Sequence, residues 1–433
     1  MLLAWSPYIY SLAPGSVLGD SLNSIYQILD PSAGFSNHHP ITYTLFVGVF
    51  LSIGSLVGNI NVGIWIYSIT QAVIMAYSIA KLLAFLYKKS FPKIAIGICY
   101  VYYMFFPLFP TYAVTLWKDP LYSCFLLHLT LMVIDFSLNP DLIKFSAFKV
   151  KYSLVCLLVC LFRNNGIYVV VFTTVLILLK SIKSSRTTFK SVAALLLCTI
   201  VIYGGTNIFF EKVLKVKNSE FVEKIGIPLQ QIAYVINTDG YISETDKTFL
   251  FEILPEDQWE SSYTPCLVDS IKWNDSFNQE LLEANKSRFF RIYIDIVLHN
   301  PLSALKAYCL ETFGFWKIGV QNDYGYISTD ISDNYFGIQF LFDCPRLRNT
   351  IQNVKIYIGS GMLFWVIATA SFLCWIKEQK VYMAYFPALG NWLTTMIATP
   401  VAFSMRYVYI FALGLPLFCA LPFVHNPRSD DNE

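Results

Sequence analysis

Side chains that can transfer protons or hold anions lie at the ends of several apolar runs in this sequence. Asp20 follows the first apolar run, and His38 and His39 precede Pro40 at the head of the second. The ends of other apolar runs contain Lys118 and Asp119 in TLWKDPLY, Arg163 and Asn164 in LFRNNG, and Arg406 in SMRYVY. A carboxylate can take a proton from a hydroxyl, and cations can stabilise a phosphate that gathers negative charge. Ionisable residues at the ends of membrane spans are costly, so each of these residues is a candidate functional residue.

Each of these residues also has a structural explanation. Asp20 could cap the helix predicted for DSLNSIYQIL. The polar residues 38–40 could close a loop with proline at a helix start. Residues 118–120 could hold a surface Lys–Asp pair, and Arg163 and Arg406 could reach lipid headgroups. The functional interpretation gains weight because one chain places an acid, histidines and cations at several such ends.

The elements that must position these residues are membrane helices. Hydrophobic residues make up 55% of the 433-residue chain and charged residues only 14%, against about a quarter charged in soluble domains. Runs of about 20 apolar residues recur, which is the length of a membrane-spanning helix. We predict an all-α polytopic membrane protein with about nine to eleven spans: a partial one at the start, then 41–58, 61–87, 92–110, 119–137, 152–180, 190–210, 355–377, 381–398 and 401–424.

Residues 212–352 form a polar segment between two groups of spans. They hold most of the acids and many turn-forming residues, so we predict a mainly helical extracytoplasmic domain between a membrane module at 1–211, with a catalytic loop at about 11–40, and a C-terminal module at 353–433. Helices are expected to start at Ser243 and Pro255. A stronger amphipathic pattern at Phe289–Trp316 is broken at residues 299–301, and it could lie along the membrane face.

The composition excludes some classes of protein. The net charge is +2, with no long basic run, so nucleic acid is not an expected partner. The ten cysteines are scattered without zinc-ligand spacing, so no structural metal is expected. Cys266 and Cys344 could pair in an oxidising compartment. The first apolar run is too short for a full span, which leaves a short or tilted helix, or the later half of a longer one.

Orientation follows from Lys and Arg in short loops. The stretch KSIKSSRTTFK at 180–190 is basic and has no acid, so we expect it in the cytoplasm and the polar segment outside. The stretch 152–180 is interrupted by RNNG, so it could form either one interrupted helix or two half-helices. A single span there places the histidine loop in the cytoplasm, and a chain that enters and returns places it outside.

The stretches GDSLNSIYQ and HHPITYTLFVG resemble the opening of the GT-C superfamily of polytopic glycosyltransferases, which includes protein mannosyltransferase-like and aminoarabinose transferase-like enzymes. KDP, LFRNNG and the long external segment extend the likeness to a group of bacterial membrane proteins. Many relatives have an acid pair or His-Pro-Pro where this chain has a single Asp20 and His39-Pro40-Ile41. The resemblance implies an inverting glycosyltransferase in the bacterial cytoplasmic membrane, with its active site facing outward.

This resemblance implies transfer of a sugar from a polyprenyl-phosphate donor to a hydroxyl of a glycan, lipid or protein acceptor. Asp20 would be the base, with its pKa raised by partial desolvation. The donor phosphate or the acceptor would be bound by His38, His39, Lys118, Asp119, Arg163, Asn164 and Arg406. No metal ligand is assigned, and a divalent cation held by Asp20 and a histidine is left open. The alternatives are a transporter or flippase for a lipid-linked sugar, and a non-catalytic protein of envelope assembly.

Overall fold

The computed structural model describes residues 1–30, 32–182, 185–319, 328–354, 358–397 and 404–424. Within these ranges the chain folds into helices and loops, and its only β pairing is four isolated bridges. The all-α prediction is therefore confirmed. Short 3₁₀ helices join the α-helices at Pro140–Lys144, Phe221–Lys224, Phe313–Phe315, Lys380–Tyr385, Met405–Val408 and Leu421–Phe423.

The helices fall into three consecutive groups along the chain. The first group contains α1 (Leu2–Ser11), α2 (Gly19–Leu29), α3 (Ile41–Leu56), α4 (Ile60–Lys88), α5 (Lys93–Phe105), α6 (Leu108–Val114), α7 (Lys118–Leu138), α8 (Ser146–Phe162), α9 (Gly166–Ile182) and α10 (Arg186–Lys212). The polar segment contains α11 (Gly226–Asn237), α12 (Glu244–Ile253), α13 (Glu256–Ser262), α14 (Asp269–Lys272), α15 (Gln279–Ala284), α16 (Lys286–His299), α17 (Pro301–Thr312) and α18 (Pro345–Gln352). The last group contains α19 (Ser360–Ile376), α20 (Phe386–Ile397), α21 (Tyr409–Leu413) and α22 (Leu415–Ala420).

Several of these helices are suited to a membrane. Within the described ranges, α4, α7 and α10 are each long and apolar enough to span one. The pairs α5–α6 and Met405–Leu413 with Leu415–Phe423 also qualify if each bent pair is one span, because they bend by 50° and 47°. The chain is thus a membrane protein with three to five candidate spans, fewer than the nine to eleven predicted. Breaks at Pro107, RNNG and Gly414 divide apolar runs into helices below the required length.

The stretch predicted as a span at 41–58 forms the apolar helix α3, whose 16 residues make it shorter than the candidate spans. Its helix α3 starts after His39, and just past its end Asn61 exchanges hydrogen bonds with Gly337 O and the Gln339 N–H (each 3.1 Å). The strip that holds Gly337 pairs with Val17, whose carbonyl accepts from the Ser332 N–H at 2.8 Å. The strip at 331–339 therefore contacts both the first turn of α4, just after α3, and Val17, just before α2.

The apolar stretch 152–180 folds back on itself. Tyr152 on α8 and Thr174 on α9 approach to 3.4 Å and lie about equally far from the break at Arg163, as expected for an antiparallel helix pair. The turn requires glycine, because a Cβ at Gly166 would lie 2.0 Å from the Val159 carbonyl oxygen. Of the two alternatives from the sequence, the pair of half-helices is correct. The RNNG turn lies on the same face as the histidine loop, since Asn164 Nδ2 donates to Asn37 O.

The polar segment has a hydrophobic core of its own, built by side chains between Val222 and Ile296. Helices before and after this segment share a second, larger core. The predicted helix starts at Ser243 and Pro255 are confirmed by α12 and α13, and the break before Pro301 separates α16 from α17. Cys266 and Cys344 are free thiols and do not pair.

Candidate functional site

Asp20 is paired with an arginine almost 400 residues later in the chain. It occupies the first turn of α2, whose N-cap is Leu18, so the prediction that Asp20 caps this helix is wrong. Its Oδ2 accepts a hydrogen bond from Arg406 Nη1 at 2.5 Å. The Arg406 guanidinium also lies over the Trp117 ring, 4.9 Å from the ring centre. The arginine is thus held on one side by the acid and on another by an aromatic face, and does not simply reach for lipid headgroups.

His39 lies between this pair and Lys118. The Lys118 Nζ lies 3.0 Å from His39 Nδ1. A lysine ammonium can only donate, so Nδ1 accepts and the ring proton of the neutral imidazole resides on Nε2. His39 Nε2 is buried, lies 3.9 Å from Asp20 Oδ1, and has no hydrogen-bond partner in the described structure. His39 therefore presents a free donor beside Asp20.

Asp119 and Arg163 form a second pair next to the first. Asp119 Oδ1 lies 3.2 Å from Arg163 Nη1, and both residues are buried. The prediction of a surface Lys118–Asp119 pair is therefore wrong. Tyr407 joins the two groups, because its carbonyl accepts from Arg163 and its hydroxyl from Arg406. We call Asp20, His39, Lys118, Asp119, Arg163 and Arg406 the span-head cluster, and the side on which it lies the cluster face.

Burial and neighbouring charges act on the titration of Asp20 in opposite directions. Burial raises its pKa, but the charges of Arg406 and Lys118 outweigh this and hold the pKa well below its usual range. The predicted rise in the pKa of Asp20 is therefore wrong for this arrangement. Burial, followed by the Lys118 charge, lowers the pKa of His39. The site thus combines an ionised carboxylate with a neutral imidazole.

An apolar cavity opens beside the span-head cluster. It has a volume of about 410 Å³ and is lined by α3, α4, α7 and α8, with Phe46, Val49, Phe125 and Leu158 among the lining side chains. Its wall also includes Thr42, Leu121 and Phe162, each within three residues of a cluster member. The cavity therefore adjoins the charges along three separate parts of the chain.

Buried donors lie unused where the cavity meets the charges. His39 Nε2, Trp117 Nε1 and Thr42 Oγ1 are buried and lack hydrogen-bond partners within the described ranges. Buried polar atoms are almost always satisfied, so these donors are available to a ligand or to water. These donors, with Lys118 and Arg406 beside them, suit an anion with several oxygens.

Two predicted site residues lie at the margin of the cluster. The His38 ring packs edge-on against His39, with ring centres 4.7 Å apart. Asn164 uses its amide to tie the RNNG turn to the histidine loop. Sequence reasoning missed Trp117, Tyr407 and Thr42. The only signal was that Trp117 and Tyr407 each adjoin a predicted cation in the sequence.

The donor set does not fit a divalent cation. Asp20 is engaged with Arg406, and the free nitrogen of His39 carries a proton, so it has no lone pair to offer. Among the described residues no group of three or more His, Cys, Asp or Glu side chains could hold a metal ion.

Comparison with known proteins identifies a family. No curated protein and no solved structure matches the chain. A protein-family model described as "Family of unknown function (DUF6020)" matches residues 26–433. This range includes every cluster residue except Asp20. The chain belongs to the DUF6020 family.

Proposed function

We propose that the protein is a membrane glycosyltransferase that moves a sugar from a polyprenyl-phosphate donor to a hydroxyl acceptor, with a GT-C-like fold. The observation that carries the proposal is the junction of the span-head cluster with the apolar cavity. Cations and unused donors suit a phosphate, and the cavity of about 410 Å³ suits the first part of an isoprenoid chain. A ligand that needs both is a lipid phosphate.

In the proposed reaction, the acceptor oxygen attacks the anomeric carbon and the bond from that carbon to the phosphate oxygen breaks. The electron pair of the broken bond leaves with the lipid phosphate, which Lys118 and Arg406 stabilise. Asp20 takes the proton of the acceptor hydroxyl. Attack from the side opposite the phosphate inverts the configuration of the sugar carbon.

The Asp20–Arg406 pair suggests how donor binding prepares the base. While Arg406 holds Asp20, the carboxylate is a weak base because its pKa is low. A phosphate that binds to Arg406 and Lys118 partly neutralises these two cations, so their electrostatic stabilisation of the Asp20 carboxylate becomes weaker. The carboxylate then gains basicity when a donor is present. His39 would donate through Nε2 to the phosphate or to the sugar.

The path of the chain supports an outward-facing site in the bacterial cytoplasmic membrane. The turn at Lys88–Lys93, the loop at 138–146, the end of α9 and the start of α10 lie opposite the cluster face. The turn and the stretch at 180–190 are short and rich in Lys and Arg, and such loops favour the cytoplasm. The cluster face would then look outward, together with the polar segment, which we propose selects the acceptor.

The test uses the full chain in lipid vesicles with a labelled polyprenyl-phosphate sugar and an envelope extract as the source of acceptors. Asp20→Asn should lower turnover by about 10³-fold, within the range for a general base, in a variant shown to unfold cooperatively. Asp30→Asn is the matched control, because Asp30 follows the last residue of the same helix and its carboxylate accepts hydrogen bonds from the Ser32 N–H and hydroxyl, away from the span-head cluster. Full turnover in Asp20→Asn would show that Asp20 is not the base.

The same vesicles separate the proposal from transport. A flippase would move the labelled lipid across the bilayer without consuming its sugar. Release of the unglycosylated polyprenyl phosphate by the wild-type protein supports sugar transfer. Movement of the lipid with its sugar intact would contradict sugar transfer and assign the protein to transport.

A further inference from the structure

Helix α16 has apolar side chains on two opposite sides. Phe289, Ile292 and Ile296 point into the core of the polar segment. Phe290, Ile294 and Leu298 recur every fourth residue, so they share the other side, and all three are exposed, Leu298 by 72%. A helix on the surface of a soluble domain normally shows polar side chains there.

Two more exposed apolar side chains follow on the next helix. Leu302, 80% exposed, and Leu305 lie on α17, directly after the break at Asn300. We call Phe290, Ile294, Leu298, Leu302 and Leu305 the outer stripe. Five exposed apolar side chains within 16 residues of two consecutive helices are a candidate interaction surface.

The outer stripe lies close to where the polar segment joins the membrane helices. One turn beyond Leu305, the Tyr308 hydroxyl donates to the Met396 carbonyl at 3.1 Å, near the end of α20. The same end of α20 contacts the RNNG turn, because Asn165 Nδ2 donates to Thr394 Oγ1. The stripe therefore begins beside helix ends on the cluster face.

Cations accompany the stripe. Arg291 and Lys306 are exposed and form no ion pair within the described residues, and the Lys306 ammonium lies 5.5 Å from the centre of the Tyr234 ring. Apolar side chains bordered by Lys and Arg are typical of a helix that lies in the membrane surface, where the cations meet anionic headgroups. The fully buried core of a protein–protein contact is depleted of such charges.

From these contacts we infer that the outer stripe lies in the membrane surface on the cluster face, with its apolar side chains among the lipid acyl chains and its cations at anionic headgroups. The polar segment is then held against the bilayer at α16 and α17, as well as by its chain connections. This inference does not depend on the proposed glycosyltransferase activity, since it concerns only where the segment sits.

The experiment places a fluorescent amino acid at Leu298 of the full chain, in nanodiscs that hold one copy and contain phosphatidylglycerol with a spin-labelled lipid quencher. The matched control carries the same amino acid at Glu260, an exposed residue of α13. Quenching should be at least three-fold stronger at 298 than at 260. Equal quenching at the two positions would overturn the inference. A blue shift at 298 without lipid quenching would assign the stripe to a protein partner and overturn it as well.

A second variant tests the role of the cations. In the chain labelled at 298, Arg291→Gln with Lys306→Gln should weaken quenching in phosphatidylglycerol nanodiscs about two-fold and leave quenching in phosphatidylcholine unchanged. Equal quenching with and without the cations in phosphatidylglycerol would remove the headgroup contacts from the inference. Both readouts are independent of sugar transfer, so they remain informative if that proposal fails.

Discussion

Asp119 and Glu311 are both buried acids, and their surroundings differ. Asp119, 1% exposed, lies in the span-head cluster at ion-pair distance from Arg163. Glu311, 0% exposed, lies on α17 of the polar segment, and neither of its carboxylate oxygens has a hydrogen-bond partner among the described residues. Burial raises the pKa of Glu311 to about 8, so it is mostly neutral at pH 7. One region pairs its buried acid with a cation, and the other holds its buried acid without one.

The difference indicates what the span-head cluster is built to hold. It contains three cations (Lys118, Arg163 and Arg406) and two carboxylates (Asp20 and Asp119). With His39 neutral, one positive charge is left without an acid. Buried charges cost several kcal/mol each unless paired, so this excess suits the arrival of an anion. The surroundings of Glu311 contain no such excess and give no sign of a charged ligand.

The largest expected effect on stability comes from removing the cation beside Asp119. Arg163→Ala leaves a buried carboxylate without its partner, which costs about 3–5 kcal/mol. Thermal unfolding in detergent, followed by tryptophan fluorescence, would measure the loss. Arg346→Ala, at an exposed position of α18, is the control and should be nearly neutral.

A double substitution sharpens this result. Arg163→Gln combined with Asp119→Asn removes both charges at once, so it should recover most of the stability lost in Arg163→Ala. If the double variant is no more stable than the single one, the cost comes from packing of the guanidinium against Tyr122 and Tyr407 and not from the charge of Asp119.

Glu311 should show the opposite behaviour. The unfolded chain loses this proton near pH 4.5 and the folded chain near pH 8, so the folded state binds the extra proton between these values. Stability from this residue therefore falls as the pH rises through the window, by up to about 1.4 kcal/mol per pH unit. Glu311→Gln should remove that slope and be more stable than the wild type at pH 8.

Unfolding temperatures at pH 5, 6, 7 and 8 test this prediction. The control is Glu256→Gln, an exposed acid at the start of α13, which should keep the wild-type slope. A wild-type slope in Glu311→Gln would mean that Glu311 is ionised in the folded protein, and the contrast with Asp119 would be lost.

Filling the apolar cavity should affect long donors more than short ones. Leu158→Trp on α8 adds bulk to the cavity wall at a residue outside the span-head cluster. KM for a polyprenyl-phosphate sugar should rise about ten-fold, equal to about 1.4 kcal/mol, with little change for a donor with a two-isoprene tail. Val150→Trp, an exposed position of the same helix, is the control. Equal effects on both donors would place the chain outside this cavity.

The sequence predicted the helical class and most residues of the span-head cluster. It did not predict which of these residues pair, or how the chain runs between them. Charged residues at the ends of apolar runs are costly there, so Asp20, Lys118, Arg163 and Arg406 were visible as candidates. The pairs they form were not visible, because Asp20 meets Arg406 through a contact that no local pattern encodes. The apolar composition of residues 41–58 is equally suited to a span or to a helix that packs over other helices.

The smallest expected effect tests whether the two regions are energetically separate. Ser243 caps α12 by accepting from the Asp246 N–H, and loss of such a cap costs about 1 kcal/mol. Because α12 packs within the core of the polar segment and the span-head cluster lies in the other core, Ser243→Ala should speed hydrogen exchange in α12 about five-fold and leave sugar transfer unchanged. Ser261→Ala, at an exposed position of α13, should change neither. A drop in sugar transfer with Ser243→Ala would mean that the stability of the polar segment affects the span-head cluster. The two regions would then be energetically coupled, although their buried acids differ.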